Sequence, residues 1–547
     1  MQNSECRMQT ELTTGADRAT WLSRAPWRMV SAFCILHSAL LSAIACSPSH
    51  SPPDPSIITI AVRSGPSTLD PRVSNDEATQ RVAQLVFSPL LEHGEDLRIR
   101  PGLALALDHP DPVTYIAHLR HGVRFHDGRE LTARDVVYTF TSIRDPAFPS
   151  PFAGAFELLE EVSALDDYTV RFTLSRPFAA FPMQLVGVPP IVPADPGEDL
   201  RTFPIGTGPY RFVRYDVDDT LVLSAFEGFW DGLPNNAGIV MKIVPDDTMR
   251  GLELRKGSTD LVVNDLPPDI VHQLEESGAF TVDRSPGLDL FYLGFNLRDP
   301  VLSDRRVRHA IGYATNRDAI IEYLRRGLAR PAAGLVPDLA WAFEPDVHRF
   351  TYDPARAKKL LDEAGYVDPD DVGPQPRLRL TAKISTNEET RLQATAIQQD
   401  LRLVGIDLDL RTYEFATLYA DVLRGHFELF LLQWVGGSLV DPDILRRVFH
   451  SQQAPPVGFN RGYYHNAEVD RLLDLATGAA DEAERRRHYG AAQKLIAADA
   501  PYIPIWNKTN VIVAQPSLDG LHLNPLGDFS ALRDVKRRPG AGQVSTR

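Results

Sequence analysis

The chain is 547 residues long, 43% hydrophobic and 24% charged, with a formal net charge of −15. That is enough chain for about three or four domain-sized units and a sizeable core. The acidic balance excludes a nucleic-acid surface, which needs a basic stripe, and docking on anionic lipid through a polybasic patch.

The N-terminus comes first. Cys6, Cys34 and Cys46 are the three cysteines of the chain. Nothing after Cys46 can form a disulfide or a thiolate-metal site. Arg18, Arg24 and Arg28 precede the apolar run "MVSAFCILHSALLSAIA" (Met29 to Ala45). It is shorter than the roughly 20 residues of a spanning helix and ends in small residues, the pattern of a secretory signal. Residues 1–45 are therefore expected to be a signal peptide, and the protein to be exported to a periplasm or cell surface. The tetrad "AIAC" (Ala43 to Cys46) resembles a bacterial lipobox, with Ala43 in place of the more usual leucine. That resemblance implies lipidation of Cys46, attachment to the membrane through the lipid, and a flexible tether over residues 46–56.

"IITIAVRSG" (Ile57 to Gly65) reads as a strand from its β-branched content. "EATQRVAQLVFSPLLEH" (Glu77 to His93) has helical spacing. "VTYIAHLRHGVRFHDG" (Val113 to Gly128) predicts two short strands around His121-Gly122, closed by an Asp127-Gly128 turn. "LTARDVVYTFTSIRD" (Leu131 to Asp145) predicts a helix with Thr132 at the N-cap and Asp135 at N3, a carboxylate at the positive helix end. "DDYTVRFTLS" (Asp166 to Ser175) alternates as a strand, and "DLFYLGFNL" (Asp289 to Leu297) reads as a buried one. "DRRVRHAIGYATNRDAIIEYLRRG" and "DPARAKKLLDEAGY" predict amphipathic helices, the second stopping at Gly365. "ETRLQATAIQQDLRLVGI" is another helix, followed by the strand "DLDLRTY". "FELFLLQW" (Phe427 to Trp434) is an apolar strand that runs into Gly436-Gly437 and then Asp441-Pro442-Asp443. "NAEVDRLLDLATGA" and "DEAERRRHYGAAQKLIAADA" close the series as helices. The class is α/β.

The motifs of chemistry are missing. The chain has no phosphate loop, no HExxH, no CxxC and no GxSxG elbow. His126 beside Asp127 is better explained by the turn than by acid–base work. His426 and His450 flank the Trp434 region without metal-ligand spacing. No catalysis, cofactor or metal is expected.

The segment "TYIAHLRHGVRFHDGRELTARDVVYTF" (Thr114 to Phe140) resembles the signature of the family 5 solute-binding proteins of ABC importers, the oligopeptide-, dipeptide- and nickel-binding group. Further matches keep the family's order: "TLDP" (Thr68 to Pro71), "GTGPY" (Gly206 to Tyr210), "FWDG" (Phe229 to Gly232), "LGFN" (Leu293 to Asn296), "VRHAIGYATNRDAI" (Val307 to Ile320), "KKLLDEAGY" (Lys358 to Tyr366) and "PYIPIW" (Pro501 to Trp506). The resemblance spans Ile57 to Leu532. It implies a two-lobed periplasmic-binding-protein fold, with an extra domain inserted in lobe one and the ligand cleft between the lobes. Lobe one would comprise residues 57–87, 192–287 and 509–547, the inserted domain 88–191, and lobe two 288–508. It also implies a monomeric, non-enzymatic receptor that closes on a solute and delivers it to an ABC permease and ATPase complex.

In the peptide-binding members the strand before the tryptophan lines the cleft, and the peptide adds to it as an extra strand. The resemblance thus makes Gln433, Trp434, Val435, Gly436 and Gly437 candidate ligand contacts, with Trp434→Ala expected to weaken binding more than stability. An aspartate three residues after the tryptophan pairs with the peptide ammonium in those members. Here that position is Gly437. Asp441 or Asp443 can substitute, although "DPD" also makes a good turn. Asn75, Asp76 and Glu77 fall at the lobe junction, and Asn264 and Asp265 where relatives bond ligand backbone. Tyr292, Phe415 and Phe152 are candidate aromatic walls, and Arg461 a candidate partner for a ligand carboxylate. Three solute classes stay open: a peptide, a non-peptide organic solute or a metal chelate. A sensing or chaperone-like binding protein without a permease is the alternative role.

Overall fold

The computed structural model describes residues 56–538 apart from 75, 188, 371, 372 and 480. The expected signal segment, Cys46 and Asn75 lie outside the described residues.

The first strand is β1 (Ile57–Val62). A small hairpin of β2 (Leu91–His93) and β3 (Ile99–Pro101) follows. Next comes an antiparallel four-stranded sheet of β4 (Ala104–Asp111), β5 (Thr114–Leu119), β6 (Leu159–Asp166) and β7 (Thr169–Leu174), in the order β4-β5-β7-β6. The chain then supplies β8 (Tyr210–Asp216), β9 (Thr220–Ala225), β10 (Gly238–Ile243) and β11 (Leu261–Val263). The rest are β12 (Thr281–Phe295), β13 (Ala329–Pro331), β14 (Leu378–Ser385), β15 (Ile406–Tyr413), β16 (Leu429–Trp434) and β17 (Tyr502–Ala514). The large sheet runs β15-β14-β16-β12-β17-β11-β1-β10-β9-β8, with β13 also paired to β17.

Two long antiparallel strands, β12 and β17, join the two ends of that sheet. Their register shifts between Pro286 and Leu290. Proline has no N–H to give the ladder, and Gly287 follows it. A Cβ on Gly287 would stand 2.8 Å from the Lys508 carbonyl oxygen, so the close crossing of the two strands requires glycine there.

Strand alternation sorts the side chains of β16 into two cores. Leu429 and Leu431 enter one with Ile503 and Ala382. Phe430, Leu432 and Trp434 enter the other with Phe449 and Tyr464.

The predicted helix over Leu131 to Asp145 forms as Ala133–Arg144, with the Thr132–Asp135 capping box in place. Three expectations change. The helix from Glu77 ends at Val86, and Leu91–His93 is a strand, because Ser88 precedes Pro89 and is pushed away from helical angles. The helix from Arg305 ends at Ala314. Thr315 is extended, and the Asn316 side chain caps a new turn by accepting from the Ala319 N–H. After His121-Gly122 there is no second strand. Only an isolated Arg124–Glu130 bridge remains, around a tight loop closed by the Phe125 N–H donating to the Arg129 carbonyl.

Candidate functional site

The site is built on β16. One side of the strand pairs with β12 along its whole length, from Leu429 opposite Phe295 to Trp434 opposite Leu290. On the other side β14 reaches only Leu429 and Phe430. From Leu431 to Trp434 no described strand pairs with that edge. The Asn296 N–H donates to the Glu428 carbonyl, which sets the phase of the ladder. By alternation, the Leu431 C=O and the N–H and C=O of Gln433 turn to the side that β14 leaves open, while the Leu431 N–H still falls to β14 through the Lys383–Phe430 pair.

Beyond the strand, Asp289 fixes the glycine turn. One carboxylate oxygen accepts from the Gly436 N–H at 2.7 Å and the other from Gln433 Nε2 at 2.8 Å. Lys508 Nζ stands 3.8 Å away. Gly436 is confined, since a Cβ would come 3.0 Å from Leu288 Cβ. Gly437 is not: a Cβ there would meet nothing within 4 Å, and its φ lies outside the left-handed region. The position without an acid is therefore open space.

Trp434 is only 8% exposed. Its ring lies nearly parallel to Tyr292, with centroids 6.3 Å apart, and Phe459 meets it edge-on at 5.6 Å. Arg461 lies over it at 4.6 Å. Tyr292 is core as well. The exposed apolar groups belong to other residues: Val435 beside the glycine turn, and Phe415, 58% exposed, which stacks on Tyr419. Gln433 is exposed too.

Arg461 is 7% exposed. It donates from Nη1 to Tyr292 Oη and from Nη2 to Tyr419 Oη, both at 3.0 Å. Burial opposes its charge, but the two phenols outweigh burial and raise its pKa. With Asn460, Phe459 and Trp434 it lines a narrow, partly open space of about 30 Å³.

The two aspartates of "DPD" differ. Asp443 is buried, pairs with Arg446 at 3.2 Å and accepts from Thr477 Oγ1 at 3.0 Å, so it braces the turn. Asp441 is half-buried and accepts from the Asp443 N–H at 3.0 Å. Burial and the neighbouring Asp443 charge push its carboxyl up to about 7.

The remaining candidates lie in internal networks. Asp76 caps the helix Glu77–Val86, accepting from the Thr79 N–H at 2.8 Å and from Ser67 Oγ at 2.6 Å. Burial opposes its charge, and these hydroxyl and backbone donors pull its pKa down. Glu77 pairs with Arg81 at 2.6 Å, and Arg81 pairs with buried Asp265 at 2.7 Å. Asn264 takes a left-handed φ of 59° and accepts from the Val511 N–H at 2.9 Å. Phe152 packs against the core of the β4–β7 sheet. His126 is engaged by the Gly208 carbonyl at 3.0 Å, and burial lowers its pKa to about 4. Among the described residues no group of three metal-ligating side chains forms.

Sequence reasoning missed Asp289, Tyr419 and Phe459. Tyr419 was within reach, since its i,i+4 spacing from Phe415 puts the rings on one helix face. Phe459 stands two residues before Arg461. Asp289 carried no signal, because its partners lie more than a hundred residues away.

Comparison with known proteins agrees with this architecture. The model of bacterial extracellular solute-binding proteins, family 5, matches residues 98–456. The glutathione-binding protein GsiB of Pectobacterium atrosepticum is 31% identical over 483 residues, covering 86% of this chain and 92% of that protein. The periplasmic binding protein DppA of Helicobacter pylori, solved with the peptide STSA, shares the fold at a TM-score of 0.74 and 27% identity, over 88% of this chain and 98% of that one. NikZ of Campylobacter jejuni, solved with Ni(L-His), does so at 0.75 and 25%, over 88% and 100%. The two-lobed α/β fold is theirs, and these relatives take solutes of several kinds. The chain belongs to the family 5 extracellular solute-binding proteins of bacteria.

Proposed function

We propose that this protein is the lipid-anchored receptor of an ABC importer, and that it captures short peptides in extended form along β16. The observation that carries this reading is the unpaired edge from Leu431 to Trp434, beside exposed Gln433 and the open space at Gly437. A peptide main chain would satisfy that edge as an added strand. GsiB, which binds glutathione by name, keeps short peptides in range. Lobes divided at residues 287/288 and 508/509 would bend where β12 and β17 cross at Pro286-Gly287, and closure would present the loaded form to the permease. The protein performs no reaction. Its work is differential, with the ligand binding the closed state more tightly than the open one.

Native mass spectrometry of protein purified from cells, followed by denaturing release, tests the reading. A ladder of peptide masses is expected. A single non-peptide mass would transfer the site to an organic solute or chelate.

A further inference from the structure

The described residues include six buried arginines: Arg72, Arg81, Arg250, Arg308, Arg325 and Arg461. Five of them have charged or carbonyl acceptors. Arg72 holds Asp70, Arg81 holds Asp265, and Arg325 pairs with Glu389. Arg250 donates to the carbonyls of Val244 and Asp265, and Arg308 to those of Leu302 and Ala500. Arg461 differs. No described carboxylate lies within ion-pair distance of it, and its guanidinium donates to the phenols of Tyr292 and Tyr419.

A guanidinium has five N–H donors in a rigid fork. Two go to Tyr292 and Tyr419, and Nε–H has no acceptor. The rings of Trp434, Tyr419 and Phe459, at 4.6, 5.1 and 5.4 Å, hold the cation in place without neutralising it. The phenols and rings stabilise the charge but leave donors of the fork free for an anion. The space it lines opens to solvent. A carboxylate is the matching anion, because its two in-plane oxygens accept from adjacent donors of the fork.

We propose that Arg461 receives a carboxylate of the ligand, so that the solute is held by its acid end in a site where Gly437 leaves no acid for an ammonium. This rests on the reading that a solute binds against β16. It reverses the polarity of capture: a cation in the wall, not an anion, selects the ligand.

The test uses the full mature protein and calorimetric titration. The probes are a mixed-sequence tripeptide pool, the same pool as C-terminal amides, and benzoate. Wild type is expected to bind the acids about tenfold or more tighter than the amides. Arg461→Gln should lose that preference, with acid binding weakened about thirtyfold. If the amides carrying Glu side chains bind as well as the acids and Arg461→Gln weakens them, the carboxylate is a side-chain one, and the assignment stands. Equal binding of acids and Glu-free amides to wild type, or an acid preference that survives in Arg461→Gln, overturns it while leaving peptide capture intact. If neither pool binds, peptide capture falls. Benzoate binding that Arg461→Gln abolishes then keeps the carboxylate site, and no benzoate binding ends it. Should Arg461→Gln not fold, Arg461→Lys keeps the charge without the fork. It is expected to retain a reduced acid preference, and an undiminished one would overturn the bidentate site.

Discussion

The guanidinium of Arg461 lies 4.6 Å from the centre of the Trp434 ring, and its Nη1 reaches the Oη of Tyr292, whose ring runs nearly parallel to the indole. The indole is thus engaged by the protein's own cation and phenol before any ligand arrives. What the β16 region offers to solvent is Gln433, Val435 and the space at Gly437, beside the short stretch of strand that β14 leaves unpaired.

Trp434→Ala is therefore expected to destabilise the fold by about 3 to 5 kcal/mol, the range for removing a large aromatic from a core. Urea denaturation checks this. A variant of wild-type stability with impaired binding would return Trp434 to the ligand wall.

Gly437→Asp should fold with a stability change within about 0.5 kcal/mol, because the new side chain meets open space. It should also restore attraction for an ammonium. Peptides with a free N-terminus are expected to gain about five- to tenfold over N-acetylated ones. Titration of both sets reads the ratio, and an unchanged ratio would place residue 437 away from the ligand's N-terminus.

Asp441 predicts a pH dependence. Its carboxyl rises from an ordinary 3.8 to about 7 in the folded state, so folding binds a proton between those values. Stability from this group is full below the unfolded pKa and is lost as pH rises through about 7. Arg485 and Arg447 act against the rise, and Asp443 with it. Asp441→Asn should flatten the fall in urea midpoint between pH 5 and pH 7.5. An identical fall in the variant would assign the slope to other groups.

Cys46→Ser should move the protein from the membrane fraction to the soluble exported fraction. Fractionation with an immunoblot reads this directly. An unchanged membrane fraction would remove the lipid anchor from the proposal.

Local chemistry was legible wherever neighbours in sequence are neighbours in space. Thr132 and Asp135 form the capping box that their spacing promised, and Gly365 ends its helix with a φ of 94°. The apolar run before Trp434 is a buried strand, as its composition required. Asp76 and Asp265 looked like ligand groups because an aspartate's partner is invisible until the chain folds. One caps a helix, and the other meets Arg81 from 184 positions earlier. Phe415 and Trp434 could not be told apart by hydrophobicity. Burial divides them, and it depends on Arg461 and Tyr292, which come from other strands and loops.

Asp289 stands just past the break at Pro286-Gly287 and grips Gln433 and Gly436 through its two oxygens. If the lobes bend at the break as proposed, the glycine turn would move with it as one piece. Asp289 is thus the rivet that ties the glycine turn to β12. Its removal would let the strands swing while the turn lagged behind.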